Sequence, residues 1–234
     1  VNLTIIGATG MVGTRLLSEA LRRGHHVTAA ARRPTQHKAP QVRALTVDVT
    51  SGENLDAAFS GTEAAILSIR PAPGQEETLA PLTSRVLDAA ARADTPVLVI
   101  GGAGPLRSPS RPDLLVAEDP AYVPAAWRPV AGASTAQLHA CEAHDHASWT
   151  YLSPPAILEP GVRTGRYRRG TTTLLTHPEG SSRISAEDLA VAALDEIESP
   201  GPDRHFTVVA EAGPDSSVTA APLSRAARQH KEAL

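Results

Sequence analysis

Three glycines recur at a spacing of three, Gly7, Gly10 and Gly13, between the apolar run "NLTII" and the amphipathic stretch "MVGTRLLSEALRRG". A strand that turns into a helix at such a motif is built to take phosphate. Gly7 permits the sharp turn, Gly10 lets the backbone approach a pyrophosphate, and Gly13 lets the helix pack closely on the strand. The start of the helix then presents free N–H groups around Thr9, Met11 and Val12. About 20 residues on, NAD-binding chains carry an acid for the ribose hydroxyls. Here Ala31 is followed by Arg32 and Arg33. A carboxylate would repel a 2′-phosphate, whereas a guanidinium binds it with a forked, charge-assisted contact. The expected cofactor is therefore NADP(H), with Thr35 able to add a hydroxyl. Asp48 and Val49 are expected to border the adenine.

These residues need a frame. "NLTII", "HVTAAA", "VRALTVD" (ending at Asp48), "EAAILSI" and "PVLVIGGAG" read as five strands. Between them lie the helix stopped by Gly24, the short helix "NLDAAFSG" and the long "QEETLAPLTSRVLDAAARAD" with its early proline. Strands alternating with helices predict a doubly wound parallel sheet of the α/β, Rossmann type. Residues 105–130 are proline-rich and irregular, as functional or disordered loops are. "ASTAQLHACEAHD" reads as a helix, "WTYLSPPAIL" as a sixth strand, and "TTTLLT" as a strand outside the main pattern. "SAEDLAVAALDEIES" is a helix capped by Ser185 with acids in its first turn, and "HFTVVA" is the last strand. The expected organisation is one NAD(P)-binding domain over residues 1–210. Its substrate-pocket segments fall at about 105–130 and 154–185, and a tail with a weak helix from Pro222 covers 211–234.

The 234 residues suffice for one large domain. A net charge of −3 gives no general pull toward nucleic acid or an anionic membrane. No apolar stretch reaches the length of a bilayer span, and residues 2–6 are too short for a secretory signal core. Cys141 is the sole cysteine, which rules out an intramolecular disulfide and suits a reducing cytoplasm. "HACEAHDH" brings His139, Cys141, His144 and His146 together in sequence. On a helix, however, His139 and Cys141 point about 200° apart, and the spacing is no standard zinc pattern. No metal is expected.

"IIGATGMVGTRLLSEALRRGHHVTAAARRP", "VIGGAGPL", "WTYLSPPAILEPGVRTGRYRRG" and "SRISAEDLAVAALDEIESP" together resemble the atypical short-chain dehydrogenases of the NAD(P)H-binding, NmrA-like group. Within it, the resemblance is to the NADH-flavin reductase and biliverdin reductase B-like members, and it spans about residues 2–209. It implies a Rossmann domain with a small substrate-capping region from late segments. It places the nicotinamide near the ends of the fourth, fifth and sixth strands. The implied cofactor contacts are Ser68 and Arg70, then Gly101, Gly102 and Ala103, then Pro154, Pro155 and Ala156. Arg70 could equally hold a substrate anion. Tyr122 and Trp127 in the proline-rich loop are candidates to lid the substrate, and Glu159, Arg163 and Tyr167 to shape its pocket.

Standard short-chain dehydrogenases pair Tyr-x-x-x-Lys with a serine after the fifth strand, so that a lysine lowers the phenol pKa for proton transfer. Here Tyr122, Tyr151 and Tyr167 are followed four residues later by Ala126, Pro155 and Thr171, and the fifth strand ends in glycines. A flavin, quinone or similar conjugated molecule can accept hydride at a stacked face and take its proton from water, leaving the protein to position the partners. The glycine-rich fifth-strand end is expected to give a floor open to the nicotinamide face. The function expected is NADPH-dependent hydride transfer to such a small-molecule acceptor, with no catalytic residue assigned, by a monomer or homodimer. Two alternatives stand beside it: a non-catalytic NADP(H)-sensing or partner-binding protein, and a tailoring reductase or isomerase of natural products.

Overall fold

A computed structural model describes residues 1–145 and 147–211. The elements run β1 (Asn2–Ile6), α1 (Met11–Arg22), β2 (His26–Ala31), β3 (Val42–Thr46), α2 (Leu55–Phe59), β4 (Ala64–Leu67), α3 (Leu79–Arg92), β5 (Val97–Ile100), α4 (Arg128–Glu142), β6 (Trp149–Ser153), β7 (Ile157–Glu159), β8 (Tyr167–Gly170), β9 (Arg183–Ser185), α5 (Ala186–Glu198) and β10 (His205–Ala210). Among the described residues, eight strands form one sheet in the order β3-β2-β1-β4-β5-β6-β10-β8. Neighbours are parallel throughout except β8, which pairs antiparallel with β10 at the edge. The order reverses between β1 and β4. Ligands of open α/β sheets bind at such a switch point, beyond the carboxyl ends of the strands.

The sheet is buried on both faces, which is why its central strands are continuously apolar. α1 and α5 cover one face through Leu3, Ile5, Leu16, Leu189 and Phe206. α2, α3 and α4 cover the other through Ile6, Phe59, Leu87, Leu138 and Tyr151. Ser185 caps α5 as its sequence predicts, its hydroxyl accepting the Asp188 N–H at 3.0 Å. No helix of the described residues is long and apolar enough to cross a membrane.

Several elements differ from the sequence expectation. β3 ends at Thr46, two residues before Asp48. α4 starts at Arg128 rather than near Ala133. Pro129 falls in its first turn, where a missing N–H costs nothing. The sixth strand stops at Ser153, because Pro154 and Pro155 cannot donate to a ladder; the chain resumes as β7, paired with β9 in a two-stranded sheet. "TTTLLT" is not a strand. The edge strand lies just before it, as the arginine-rich β8. Leu174 instead turns inward, into a small third core with Leu106, Val116 and Val123.

That third core orders residues 105–130. The buried Asp119 carboxylate accepts from the Ser108 hydroxyl (2.7 Å), the Arg111 guanidinium (2.6 Å) and the Ala121 N–H (2.9 Å). These three donors hold its carboxyl at about 2, with Ser108 the largest cause. The tail over 212–234, and with it the expected helix from Pro222, lies outside the described residues, as does His146.

Candidate functional site

The phosphate turn sits at the β1 end of the switch point. Gly7 has φ +91°, and a Cβ there would lie 2.0 Å from the Ser68 carbonyl oxygen at the end of β4. A Cβ on Gly13 would lie 2.1 Å from the Gly7 carbonyl oxygen. Both glycines are thus fixed by the protein's own close packing. Gly10 differs: a Cβ there meets only the Gly7 carbonyl oxygen, at 3.3 Å. The protein itself nearly tolerates a side chain at Gly10, and the glycine keeps the outer face of the turn clear.

Above that face, the N–H groups of Met11, Val12 and Gly13 have no hydrogen-bond partner among the described residues. No side chain caps α1, and its first turn holds no acid. Three orphan donors and the positive end of a helix dipole therefore point out of the fold. This arrangement fits the pyrophosphate of a dinucleotide.

Arg32 and Arg33 follow β2 on the same edge of the sheet. Both are exposed, and neither guanidinium has a partner among the described residues. Asp48 lies beyond β3, with its Oδ1 accepting the Thr50 N–H at 2.8 Å. Val49 is buried, and its carbonyl accepts from Arg85 at 2.8 Å.

Residues 7–200 match a family described as NAD(P)H-binding. The chain belongs to this NAD(P)H-binding family. It is 36% identical over 214 residues to the uncharacterized protein YwnB of Bacillus subtilis, which covers 89% of this chain and 98% of YwnB. An epimerase candidate from Bacteroides thetaiotaomicron has a similar structure, with TM-score 0.82, 31% identity, and coverage of 91% of this chain and 98% of its own. So has an NADH-flavin reductase candidate from Streptococcus pneumoniae, with TM-score 0.76, 26% identity, and coverage of 90% and 99%.

The floor of this NAD(P)H-binding domain follows β5. A Cβ on Gly101 would lie 2.0 Å from the Tyr151 ring, and one on Gly104 would lie 2.1 Å from the Ala131 carbonyl oxygen of α4. These glycines answer first to packing from beneath, whereas their sequence suggests only an open upper face. Tyr151 is fully buried. Its hydroxyl donates to the Ser134 carbonyl at 2.9 Å and lies 3.1 Å from Gln137 Oε1. Gln137 in turn donates to Thr83 Oγ1 at 3.1 Å. Burial pushes this phenol far above its ordinary pKa. Beside it, Ser153 Oγ and His205 Nε2 are 2.9 Å apart. Burial pushes His205 down to about 4, so its ring is neutral near pH 7.

The other predicted residues divide into two groups. Arg70 lies over the Trp127 ring, 5.6 Å from its centroid, which joins the loop after β4 to the entry of α4. Tyr122 packs on the third core. Pro154 and Pro155 are buried, and the Ala156 N–H donates to Ser182 Oγ at 3.3 Å. Glu159 is exposed at the end of β7.

Arg163 and Tyr167, by contrast, are committed to the α1–α5 layer. Arg163 donates twice to the buried Glu19, at 2.7 and 2.9 Å. The Tyr167 hydroxyl donates to Asp195 at 2.6 Å. These bonds occupy the groups that the sequence makes candidates for a substrate pocket. Lys38 is exposed in the loop after β2 and is the one lysine of the described residues. Among those residues no cluster of His, Cys, Asp and Glu could hold a metal ion.

Sequence reasoning misses the layer beneath the site. Thr83, Gln137 and Tyr151 form a buried polar chain from three elements distant in sequence, and only the isolated Gln137 inside an apolar helix face hints at it.

Proposed function

We propose that this protein is an NADPH-dependent reductase that passes hydride to a conjugated small molecule such as a flavin or quinone. The observation that carries the reading is the edge that joins three N–H groups at Met11–Gly13 to Arg32 and Arg33, none of which has a partner among the described residues. Met11, Val12 and Gly13 would hold the pyrophosphate, and the two arginines the 2′-phosphate. Gly101, Gly102, Pro154, Pro155 and Ala156 would frame the nicotinamide. When bound, this cofactor supplies the hydride.

The chain's own contribution is position and exclusion of water. No tyrosine precedes a lysine by four residues, the spacing of the usual acid–base pair. Tyr151 is buried beneath the floor, Tyr167 is held by Asp195, and Tyr122 supports the 105–130 segment. The proton that balances the hydride would come from solvent. Tyr122 and Trp127 would wall the acceptor side, with Arg70 between that wall and the cofactor.

The test is stopped-flow oxidation of bound NADPH by a panel of flavins, quinones and conjugated tetrapyrroles. Turnover with at least one acceptor supports the reading. Tight NADPH binding with no turnover by any acceptor overturns it in favour of an NADP(H) sensor. Turnover confined to a carbonyl substrate overturns it in favour of a tailoring reductase.

A further inference from the structure

Residues 160–166 connect β7 to β8 and form a strap across α1 and α5. Their main chain bonds to carboxylates at the start of α5. The buried Asp188 accepts the Thr164 N–H (2.8 Å), the Gly165 N–H (2.7 Å) and the Thr164 hydroxyl (2.6 Å). Arg163 anchors the strap further along α1, on Glu19. Both contacts lie away from the phosphate turn.

One contact reaches the turn. Glu187 Oε2 accepts the Gly161 N–H at 2.7 Å, while its Oε1 accepts from Arg15 Nε at 3.0 Å. The same Arg15 donates through Nη1 to the Met11 carbonyl and to the Thr14 hydroxyl, each at 3.2 Å. Met11 is the first residue of α1 and carries one of the three orphan N–H groups. On the other side, Gly161 follows β7, which is fed directly by Pro154–Ala156. An unbroken path thus runs from Met11 through Arg15 and Glu187 to Gly161, and back along β7 to Ala156. Glu187 is partly buried, and burial works against its ionisation. The Gly161 N–H and Arg15 nevertheless hold its carboxyl below the usual range.

We infer that Glu187 is a positioning residue, which with Arg15 sets the nicotinamide frame at Pro154–Ala156 in register with the phosphate turn at Met11–Gly13. The inference rests on the cofactor placement proposed above. Neither side chain is assigned a contact with cofactor. Their effect falls on the nicotinamide end, because Pro154–Ala156 would frame the nicotinamide, whereas the adenine and phosphate end would be set by β1, β2, α1 and the turn after β3 at Asp48 and Val49.

Two ligands read this separately: NADPH, and 2′-phosphoadenosine diphosphate ribose, which lacks only the nicotinamide ring. Calorimetric titration gives the affinity advantage of NADPH over the fragment. In Glu187→Gln, which keeps an acceptor for Gly161 but loses the ion pair, that advantage should shrink by about three- to tenfold. Arg15→Met should do the same from the α1 side, while Arg15→Lys should retain most of the advantage. Fragment affinity should stay within about twofold in every variant.

Equal weakening of both ligands would mean that Glu187 serves only the stability of the fold, and would overturn the inference. So would an unchanged advantage in well-folded Glu187→Gln and Arg15→Met proteins. Failure of the underlying reading has a different signature. Wild-type protein would then bind neither ligand, or would bind both equally.

Discussion

The Tyr151 ring lies directly beneath Gly101, where an added Cβ would stand 2.0 Å from ring atom Cζ. A buried ring hydrogen-bonded to α4 cannot move aside, so the backbone after β5 rests on it at one height. Gly10 offers the opposite case, a glycine with almost no protein atom in its way. This contrast separates glycines required by packing from one whose surroundings leave room for a ligand.

Gly101→Ala should therefore destabilise the protein by about 1–3 kcal/mol or more, as overpacked sites do. Gly10→Ala should melt close to wild type yet lose at least about tenfold in NADPH affinity, some 1.4 kcal/mol. Thermal melts and titrations on both variants check this. A Gly10→Ala protein with normal NADPH affinity would remove the pyrophosphate from this turn.

The proposed preference for NADPH rests on Arg32 and Arg33. Replacing both with alanine should cost about 1.5–3 kcal/mol of NADPH affinity for each charge-assisted hydrogen bond removed. NADH affinity should hardly change. Both side chains are exposed and have no partner among the described residues, so the melting temperature should hold. An unchanged NADPH/NADH ratio would show that they are solvated turn charges.

The tyrosines test the proton's source. Phenylalanine at Tyr122, Tyr151 and Tyr167 in turn should lower acceptor reduction by less than the roughly 10²–10⁴-fold typical of losing a general acid. Tyr151→Phe should still cost stability, about 1–2 kcal/mol, since the buried hydroxyl's hydrogen bond to the Ser134 carbonyl is lost. One variant that binds NADPH normally but loses activity on the larger scale would identify the acid. A carbonyl substrate would then replace the conjugated acceptor.

How far these features can be read from sequence depends on their range along the chain. β1, the phosphate turn, α1 and the two arginines lie within 33 residues and rest on local signals: an apolar run, glycines, a helical period. The same holds for α5, whose Ser185 cap and first-turn acids are adjacent. The edge strand β8 is hidden because arginines at Arg168 and Arg169 read as loop. Arg169 is held in the strand by Glu196 at 2.5 Å, by Asp203 at 3.8 Å and by the Phe206 ring, 3.7 Å away. Arg163 and Glu19 are 144 residues apart. No periodicity links them, so a structural ion pair looks in sequence like a free pocket arginine. The order within 105–130 is illegible for another reason: Asp119 gathers donors only 2 to 11 residues away, but in an irregular loop where no helical or strand period marks them.

Acid stability has two windows with one sign. His205 has its pKa depressed by burial from 6.5 to about 4. The unfolded chain therefore binds a proton at higher pH than the native one, and stability falls as pH drops from 6.5 toward 4. This loss should reach about 3 kcal/mol at most, at 1.36 kcal/mol per pKa unit. Glu19 follows. Its carboxyl is lowered from 4.5 to about 2, first by the Arg163 hydrogen bond and then, against the opposing effect of burial, by Arg23. Its contribution is complete above pH 4.5 and is lost as pH falls toward 2. His205→Gln keeps a hydrogen-bonding group near Ser153 but cannot titrate. Its stability relative to wild type should therefore improve as pH falls through the upper window. Arg163→Met should instead cost about 1–3 kcal/mol at pH 7, less than a fully buried pair because Arg163 is partly exposed. That cost should shrink below pH 4.5, where wild type loses the same interaction. Urea unfolding at pH 7, 5.5, 4.5 and 3 resolves both windows. A constant difference between His205→Gln and wild type from pH 7 to 4.5 would mean that the buried imidazole is not what titrates.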